Sequence, residues 1–405
     1  MSWKRAPASV VAISRIEGND LDSVCTAVSR ALELCPTWSS LIPRGARVFL
    51  KPNLSSAETF HTTNPLVTAS LVRLVYRAGA GEVLVGDSAV VGSDMEEILH
   101  VTGTRQACEK EGARVLDLKG QERTIVEVPG GECHRRVEVF LPVLQADVLI
   151  NVPLLKTVPG LGISVAMKNL KGILSDADKK AFHRSGIVAS VCDLNRAIRP
   201  HLTVVDGMQA CEMMLRPVPM GIILAGADPV SVDAVAAGVM GHRPHDIRIL
   251  RHAADTGLGE IRLSRIRIEG APIASVRRRV LVPSENLAEL SSYFCPGLPE
   301  GKIRIREGKA CSGCMVQCLA TLDRLMREEP EVLDAYERLT MLIGSGARLP
   351  KRIDGVKMIF VGNCTKDLVP DGVDYVKGCP PWSRDIIQTI REGRGTPAPP
   401  LGKRT

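Results

Sequence analysis

The sequence predicts an α/β protein: a mainly parallel sheet covered by helices, followed by a smaller α/β domain that carries cysteines. Three observations predict it. Short apolar runs alternate with amphipathic helical stretches from Val10 to about Glu269. Several of those runs end in a polar or glycine-containing turn, among them Lys51-Pro52-Asn53-Leu54, Gly86-Asp87-Ser88 and Asp206-Gly207, as strands of a parallel sheet do where ligands bind. Cysteines then gather late in the chain, at Cys311, Cys314, Cys318, Cys364 and Cys379.

Val10 to Ile16 reads as the first strand. Asn19 or Asp20 caps a helix with Leu21, Val24, Cys25, Val28 and Leu32 on one face. Val48 to Leu50 is a second strand. Asn64-Pro65 starts a helix that ends at Gly79 or Gly81, and Glu82 to Val85 is a third strand. A helix from about Asp94 leads to the strand Arg114 to Leu118. Thr124 to Val128 and Arg136 to Leu141 flank Pro129-Gly130-Gly131 and form a hairpin. Val148 to Pro153 is a buried strand, followed by a loop with Lys156 and then a short helix from Ile163 to Lys171, stopped by Gly172. His201 to Val205 and Gly221 to Ala225 are further strands, the second leading through Asp228-Pro229 into a helix, and Ile266 to Glu269 is the last.

A domain boundary is expected near Leu287, dividing an α/β domain over 1–286 from a cysteine-containing domain over 287–392. The second domain reads as strand Lys302 to Arg306, a helix after Cys311, helix Glu331 to Ile343, strands Val356 to Val361 and Asp374 to Val376, and helix Ser383 to Glu392. The tail 393–405, rich in glycine, proline and basic residues, is expected to be disordered.

Composition narrows the function. An aromatic content of 3% argues against base-stacking platforms, and the basic run Arg277 to Arg279 beside Val280 reads as a strand end, so nucleic acid is not an expected partner. The net charge of +7 favours anionic partners. No segment approaches the run of apolar residues that a membrane helix needs, and Arg15 and Glu17 interrupt the N-terminal stretch that a secretory signal would occupy. A cytoplasmic protein without membrane partner is expected, and its 12 cysteines then stay as thiols.

Polar residues gather where strands should end. Lys51, Asn53, Lys156, Lys168 and Asn169 suit an anionic small molecule, carboxylate or phosphate, in a basic cleft. Asp87, Asp206, Asp228 and His183 suit a divalent cation or proton transfer, although aspartates before glycine or proline are turn residues first. In the second domain Cys311-Ser-Gly-Cys314 has the spacing for two thiolates on one metal, with Cys364 and Cys379 in turns beside predicted strands. A four-iron (4Fe-4S) cluster and a structural zinc both fit four such thiols. The absence of histidine and the two prolines after Cys379 favour iron–sulfur. Cys318 falls on the helix with Leu319, Leu322 and Leu325 and reads as core.

Lys51-Pro52-Asn53-Leu54, Gly86-Asp87-Ser88, the run from Ala146 to Lys156, Met167-Lys168-Asn169-Leu170-Lys171-Gly172 with His183 beyond it, Val205-Asp206-Gly207 and the run from Ala227 to Asp233 together resemble the domain of unknown function 362 family, over about residues 8 to 270. The resemblance implies an α/β fold and a link to redox metal, because the family is often joined to iron–sulfur segments; Cys311, Cys314, Cys364 and Cys379 match such a segment. It departs at Val158, where the family commonly has histidine after Lys-Thr. The reading is an iron–sulfur oxidoreductase acting on an anionic compound, with a redox protein as a possible partner. The alternatives are an electron-transfer or cluster-handling module without its own substrate, and a zinc-containing non-redox enzyme.

Overall fold

The computed structural model describes residues 9–282, 301–349 and 356–393. The expected boundary near Leu287 and the expected disordered tail, apart from Gly393, lie outside the described residues. The chain forms two compact units, Met1–Thr157 with Leu161–Leu281, and Val158–Gly160 with Val282–Thr405.

The first unit is α/β. Its strands are β1 Val10–Arg15, β2 Arg47–Pro52, β3 Glu82–Asp87, β4 Arg114–Asp117, β5 Arg123–Glu127, β6 Arg136–Phe140, β7 Val148–Val152, β8 Leu154–Val158, β9 Gly162–Ile163, β10 Leu202–Glu212, β11 Arg216–Gly226 and β12 Arg267–Gly270. The main sheet runs β12-β1-β11-β10-β7-β2-β3-β4, with β8 paired to β10 and β9; β5 and β6 form the expected hairpin, but as a separate two-stranded sheet and not at the edge of the main one. Within this path β11 alone runs against its neighbours.

Alternation along β2 explains why the sheet is covered on both faces. Val48 and Leu50 pack with Val83, Val85, Ile150, Val152 and the helices Leu21–Glu33 and Pro65–Arg77 on one side. Phe49 packs with Leu84, Leu149, Leu170, Phe182 and Leu194 on the other. Side chains that alternate every residue feed two cores at once. The helix caps follow the sequence signals: Asp20 accepts from the N–H groups of Asp22 and Ser23, and Asn64 from that of Leu66, with Pro65 in the first helical turn.

In the main sheet of the first unit two regions differ from the sequence expectation. Lys156 lies on β8 rather than in a loop: Leu154–Val158 is wholly buried and pairs with β10 at Ala210 and Cys211, and that burial draws the segment into the sheet. The second difference is larger. β10 and β11 form one long antiparallel hairpin, not two short parallel strands. The turn escaped the sequence because it uses no glycine or asparagine: Met213 and Met214 adopt φ of 53° and 66°. Tertiary bonds hold this left-handed backbone. The Met213 N–H donates to Thr157 Oγ1 at 2.9 Å, and the Met214 carbonyl faces His61 Nε2 at 2.8 Å.

The second unit is a parallel sheet, β13 Ile303–Glu307, β14 Arg338–Ile343, β15 Val356–Val361 and β16 Asp374–Val376, in that order. Helices Ser312–Glu328 and Ser383–Glu392 accompany it. The expected helix Glu331 to Ile343 is corrected: a short helix Pro330–Asp334 is followed by β14. From Leu339 to Ile343 every residue is buried, and the segment lies between β13 and β15, where it completes the ladder on both sides.

Left-handed backbone at a non-glycine residue costs about 1 kcal/mol, and asparagine tolerates it better. Met214→Asn, at a half-buried position that needs only its carbonyl for His61, should therefore raise the unfolding free energy by about 0.5–1 kcal/mol in denaturant titration. An unchanged or lower value would mean that the Met214 side chain, not the backbone, secures the turn.

Candidate functional site

β2 and β7 are hydrogen-bonded neighbours, yet the chain leaves β2 towards β3 on one side and later enters β7 on the other. Such a reversal opens a crevice beyond the carboxyl ends of the two strands. Here the segment 166–172 lies across it. Asn169 Nδ2 donates to the Lys51 carbonyl of β2 at 3.0 Å and to Asn151 Oδ1 of β7 at 2.8 Å. Asn151 Nδ2 in turn donates to the Ala166 carbonyl at 2.9 Å.

Beneath the segment, Lys51 and Asp87 form an ion pair at 2.8 Å with side chains 0% and 5% exposed. Lys51 Nζ also donates to the Pro52 carbonyl, and Asp87 accepts the N–H groups of Leu54 and Ser88. Burial pulls the Lys51 ammonium down, and Asp87 acts against that pull. Gly172 rests on this pair. A Cβ there would stand 2.0 Å from Asp87 Oδ1 and 2.7 Å from Lys51 Nζ. The Gly172 carbonyl accepts both the N–H and the hydroxyl of Ser88.

The expected site residues therefore serve different ends. Lys51 and Asp87 neutralise each other, and Asn169 ties strands together. Lys156 is buried too, but among the described residues it has no carboxylate in ion-pair contact: Nζ donates to the His61 carbonyl at 3.0 Å and reaches Ser55 Oγ at 3.5 Å. Burial lowers its ammonium, with Cys211 and Asp87 acting the other way. Asn53 Nδ2 donates to the same His61 carbonyl. Asp206, on β10, accepts the N–H groups of Asn64 and Met208, and burial holds its carboxyl up at about 6. Asp228 does not join this group. β11 is antiparallel, and Thr203 at the start of β10 pairs with Gly226 at the end of β11, so Asp228 sits at the opposite edge of the sheet. There it caps the helix Pro229–Val239 and accepts from the Ser231 hydroxyl.

Lys168 is half-buried on the one-turn helix Ala166–Asn169. His183, on the helix Asp176–Ser185, meets Lys171 Nζ at 2.5 Å through Nε2. Burial, Lys171 and Lys168 hold its ring down at about 3. The ring is thus neutral, with Nε2 accepting from the ammonium and the proton on Nδ1.

Sequence reasoning missed several participants. Asp233 accepts the N–H groups of Ala166 at 2.6 Å and Met167 at 3.1 Å, and Asn195 donates to the Met167 carbonyl at 3.0 Å. Its signal was available: Asp233 is the one charge in a helix otherwise apolar or small, Pro229–Val239, and every residue of that helix is buried. His61 had no such signal. It lies in a polar loop, and its Nε2–H to Met214 and Nδ1 to Ser56 Oγ contacts depend on the unforeseen hairpin. Lys179 donates to the Ser88 and Ala89 carbonyls and pairs with Asp176.

In the second unit the thiols lie in loops beyond the carboxyl ends of the parallel strands. Cys311 precedes the helix Ser312–Glu328 and Cys314 lies in its first turn; Cys364 follows β15 and Cys379 follows β16. The Cys314 thiol hydrogen-bonds with those of Cys311 and Cys364, which drives its titration up. The bond from Cys314 and the N–H of Gly344 hold the Cys364 thiol below its usual range. Gly362 leaves room for them, since a Cβ there would lie 2.9 Å from Cys314 Sγ. The Cys379 loop is tied to the Cys364 loop by Asn363, whose N–H donates to the Gly378 carbonyl and whose Oδ1 accepts the Gly378 N–H. Cys318 is 0% exposed in the core. Among the described residues no group of three His, Cys, Asp or Glu side chains is disposed to hold a metal ion.

Residues 48–238 match the family described as a domain of unknown function, DUF362. Over these residues, a little under half of the chain, the protein is similar to that family. All the motifs that crowd the switch point fall inside that span. A thylakoid-associated protein of Synechocystis sp., sll1697, is 28% identical over 268 residues, which cover 62% of this chain and 79% of that protein. Two solved structures are loosely similar. A Thermotoga maritima protein has a TM-score of 0.40 at 13% identity, covering 91% of this chain and 98% of its own. The lactate racemase apoprotein of Thermoanaerobacterium thermosaccharolyticum has a TM-score of 0.40 at 11% identity, covering 95% and 91%. Likeness at that level carries no argument. No described helix is long and apolar enough to cross a membrane.

Gly172→Ala would force a methyl into a buried ion pair, so it should lower stability by about 3 kcal/mol or more, read as a fall in melting temperature. A shift within error would show that the segment 166–172 can lift off the pair without loss. A second test concerns Asp206. Its folded carboxyl titrates near 6, above the usual value of 3.8, so the fold binds its proton more tightly than the unfolded chain. The stability this adds is complete below about pH 4 and is lost as pH rises through 6, by up to about 3 kcal/mol. Asp206→Asn should flatten unfolding free energy against pH in that window; an unchanged slope would assign it to another group.

Proposed function

We propose that this protein is a cytoplasmic iron–sulfur redox protein. Its second unit would hold a four-iron cluster on Cys311, Cys314, Cys364 and Cys379, and its first unit would receive an anionic compound at the carboxyl edge of its sheet. What carries the reading is the approach of the helix start bearing Cys311 and Cys314 to the loop of Cys364, where a Cβ on Gly362 would lie 2.9 Å from Cys314 Sγ and 3.8 Å from Cys364 Sγ, with the Cys379 loop bound alongside through Asn363.

The surroundings suit sulfur ligands. The Gly344 N–H points at the Cys364 sulfur, and Cys314 lies in the first turn of a helix whose N–H groups favour negative charge. Glycines at 344 and 362 take φ of 89° and 98°, which lets the backbone turn closely around the thiols. Such a cluster, when bound, supplies one-electron transfer. The chain's own part is to hold four thiolates, shield them with backbone donors and keep an anion near the first unit's buried lysines. Cys364 and Cys379 are exposed, which suits exchange of electrons with a partner protein.

Protein purified without oxygen should be brown, contain iron and sulfide in equal amounts and bleach with dithionite. Serine at any of the four positions should lower both contents together. Cys318→Ser should keep the metal and cost about 1 kcal/mol or more, as a hydroxyl placed in the core. A colourless protein holding zinc, or loss of iron on Cys318→Ser with retention on Cys314→Ser, would overturn the assignment.

A further inference from the structure

Residues 53–63, between β2 and the helix Pro65–Arg77, form a loop whose ends are fastened together. The Thr63 N–H donates to the Asn53 carbonyl at 2.9 Å, and the Asn53 N–H donates to Thr63 Oγ1 at 2.9 Å. A loop closed in this way is packed by its own side chains between two fixed ends. Three donors converge on one oxygen of this loop, the His61 carbonyl: Lys156 Nζ at 3.0 Å, the Ser55 hydroxyl at 3.0 Å and Asn53 Nδ2 at 2.5 Å. A carbonyl oxygen has two lone pairs, so three donors exceed what it accepts well. One of the three is an ammonium, 4% exposed, with no carboxylate in ion-pair contact among the described residues. Asp87, whose charge also acts on it, is paired with Lys51. The His61 ring fastens the carbonyl in place, since Nε2 meets the Met214 carbonyl at 2.8 Å and Nδ1 the Ser56 hydroxyl at 3.0 Å.

We propose that Lys156, Asn53 and Ser55 form a receptor for one oxygen of a small anion, a carboxylate or a phosphate group, and that the His61 carbonyl is a plug which the anion displaces. The proposal rests on the anion-receiving half of the proposed function, and it adds that the site is closed by its own loop until the ligand arrives. A charged oxygen suits this donor set better than a neutral carbonyl does, because hydrogen bonds with an ionised partner are roughly twice as strong. It also brings the buried ammonium the counter-charge that the fold does not supply, which offsets the cost of its burial. The displaced carbonyl can turn to water, since the loop reaches the surface at Glu58 and Thr59, both exposed. The bonds between Asn53 and Thr63 leave the ends of the loop in place while its middle moves. Plug and ligand compete for the same donors, so the apparent affinity falls with the fraction of molecules whose loop is open.

The test uses the full chain. Inorganic phosphate and acetate are titrated separately by calorimetry, at fixed ionic strength, against wild type, Lys156→Met, Ser55→Ala, His61→Phe and the exposed-lysine control Lys180→Met, and amide hydrogen exchange of residues 54–63 is followed with and without anion. His61→Phe keeps the backbone carbonyl but removes both hydrogen bonds of the ring, so it should bind one anion about fivefold or more tighter than wild type. Which anion it binds separates a phosphorylated from a carboxylate ligand. Lys156→Met should weaken binding about tenfold or more and Ser55→Ala about threefold, while Lys180→Met leaves it unchanged. Lys156→Met removes a buried ammonium that lacks a carboxylate and should melt no lower than wild type, so its lost binding reports on the site. Saturating anion should speed exchange within the wild-type loop while the Thr63 N–H, on the closing bond, stays protected. Equal affinity in wild type and Lys156→Met would overturn the receptor and leave the anion reading standing at another place. Weaker binding by His61→Phe, with exchange in the loop slowed by anion, would overturn the displacement of the plug. Failure of both anions to bind either wild type or His61→Phe would overturn the receptor and the anion reading together.

Discussion

The buried pair of Lys51 and Asp87 is the contact on which the first unit's site depends. Two charges removed from water repay their desolvation only when their remaining hydrogen-bonding capacity is met. Here it is met by backbone: the Pro52 carbonyl for Lys51, and the N–H groups of Leu54 and Ser88 for Asp87. The pair joins the ends of the adjacent strands β2 and β3, and it does so under a glycine. Gly172 can lie on it only because no Cβ intervenes, and its carbonyl is then free to take Ser88.

From that contact the segment's residues divide by direction. Asn169 and Gly172 face the sheet and build the frame. Lys171 instead meets His183. The lysines of the sheet's carboxyl edge are therefore not one basic cleft. Lys51 and Lys179 have carboxylates of their own, at 2.8 Å and 3.3 Å, whereas Lys156 relies on a carbonyl and a hydroxyl. A buried ammonium so poorly compensated is costly, and its lowered titration is the physical response. The second unit is also built on a parallel sheet, with cysteines in or beside the loops after its strands where the first unit carries lysines and amides.

Much of this was legible in the residues. The alternation of apolar runs with capped helices foretold the α/β fold, since burial on both faces leaves that pattern in β2, β3 and β7. Cys318 sits in the core as its helical neighbours implied. The direction of β11 was not legible. Its turn at Met213 and Met214 is stabilised by Thr157 and His61, which are distant in sequence, and local composition carries no trace of such help. With that hairpin went the placement of Asp228 and the role of His61. Nor does a sequence show that a lysine at a strand end faces an aspartate, as Lys51 does Asp87.

The dependence on the buried pair is tested most directly by a double-mutant cycle on Lys51→Met and Asp87→Asn, with unfolding free energies measured by denaturant titration. Removing one partner leaves the other charge buried alone, so each single change should cost about 3 kcal/mol or more, and the double change should cost less than the sum by at least about 1 kcal/mol. Losses that simply add would contradict the dependence, because they would mean that Lys51 and Asp87 support the fold separately.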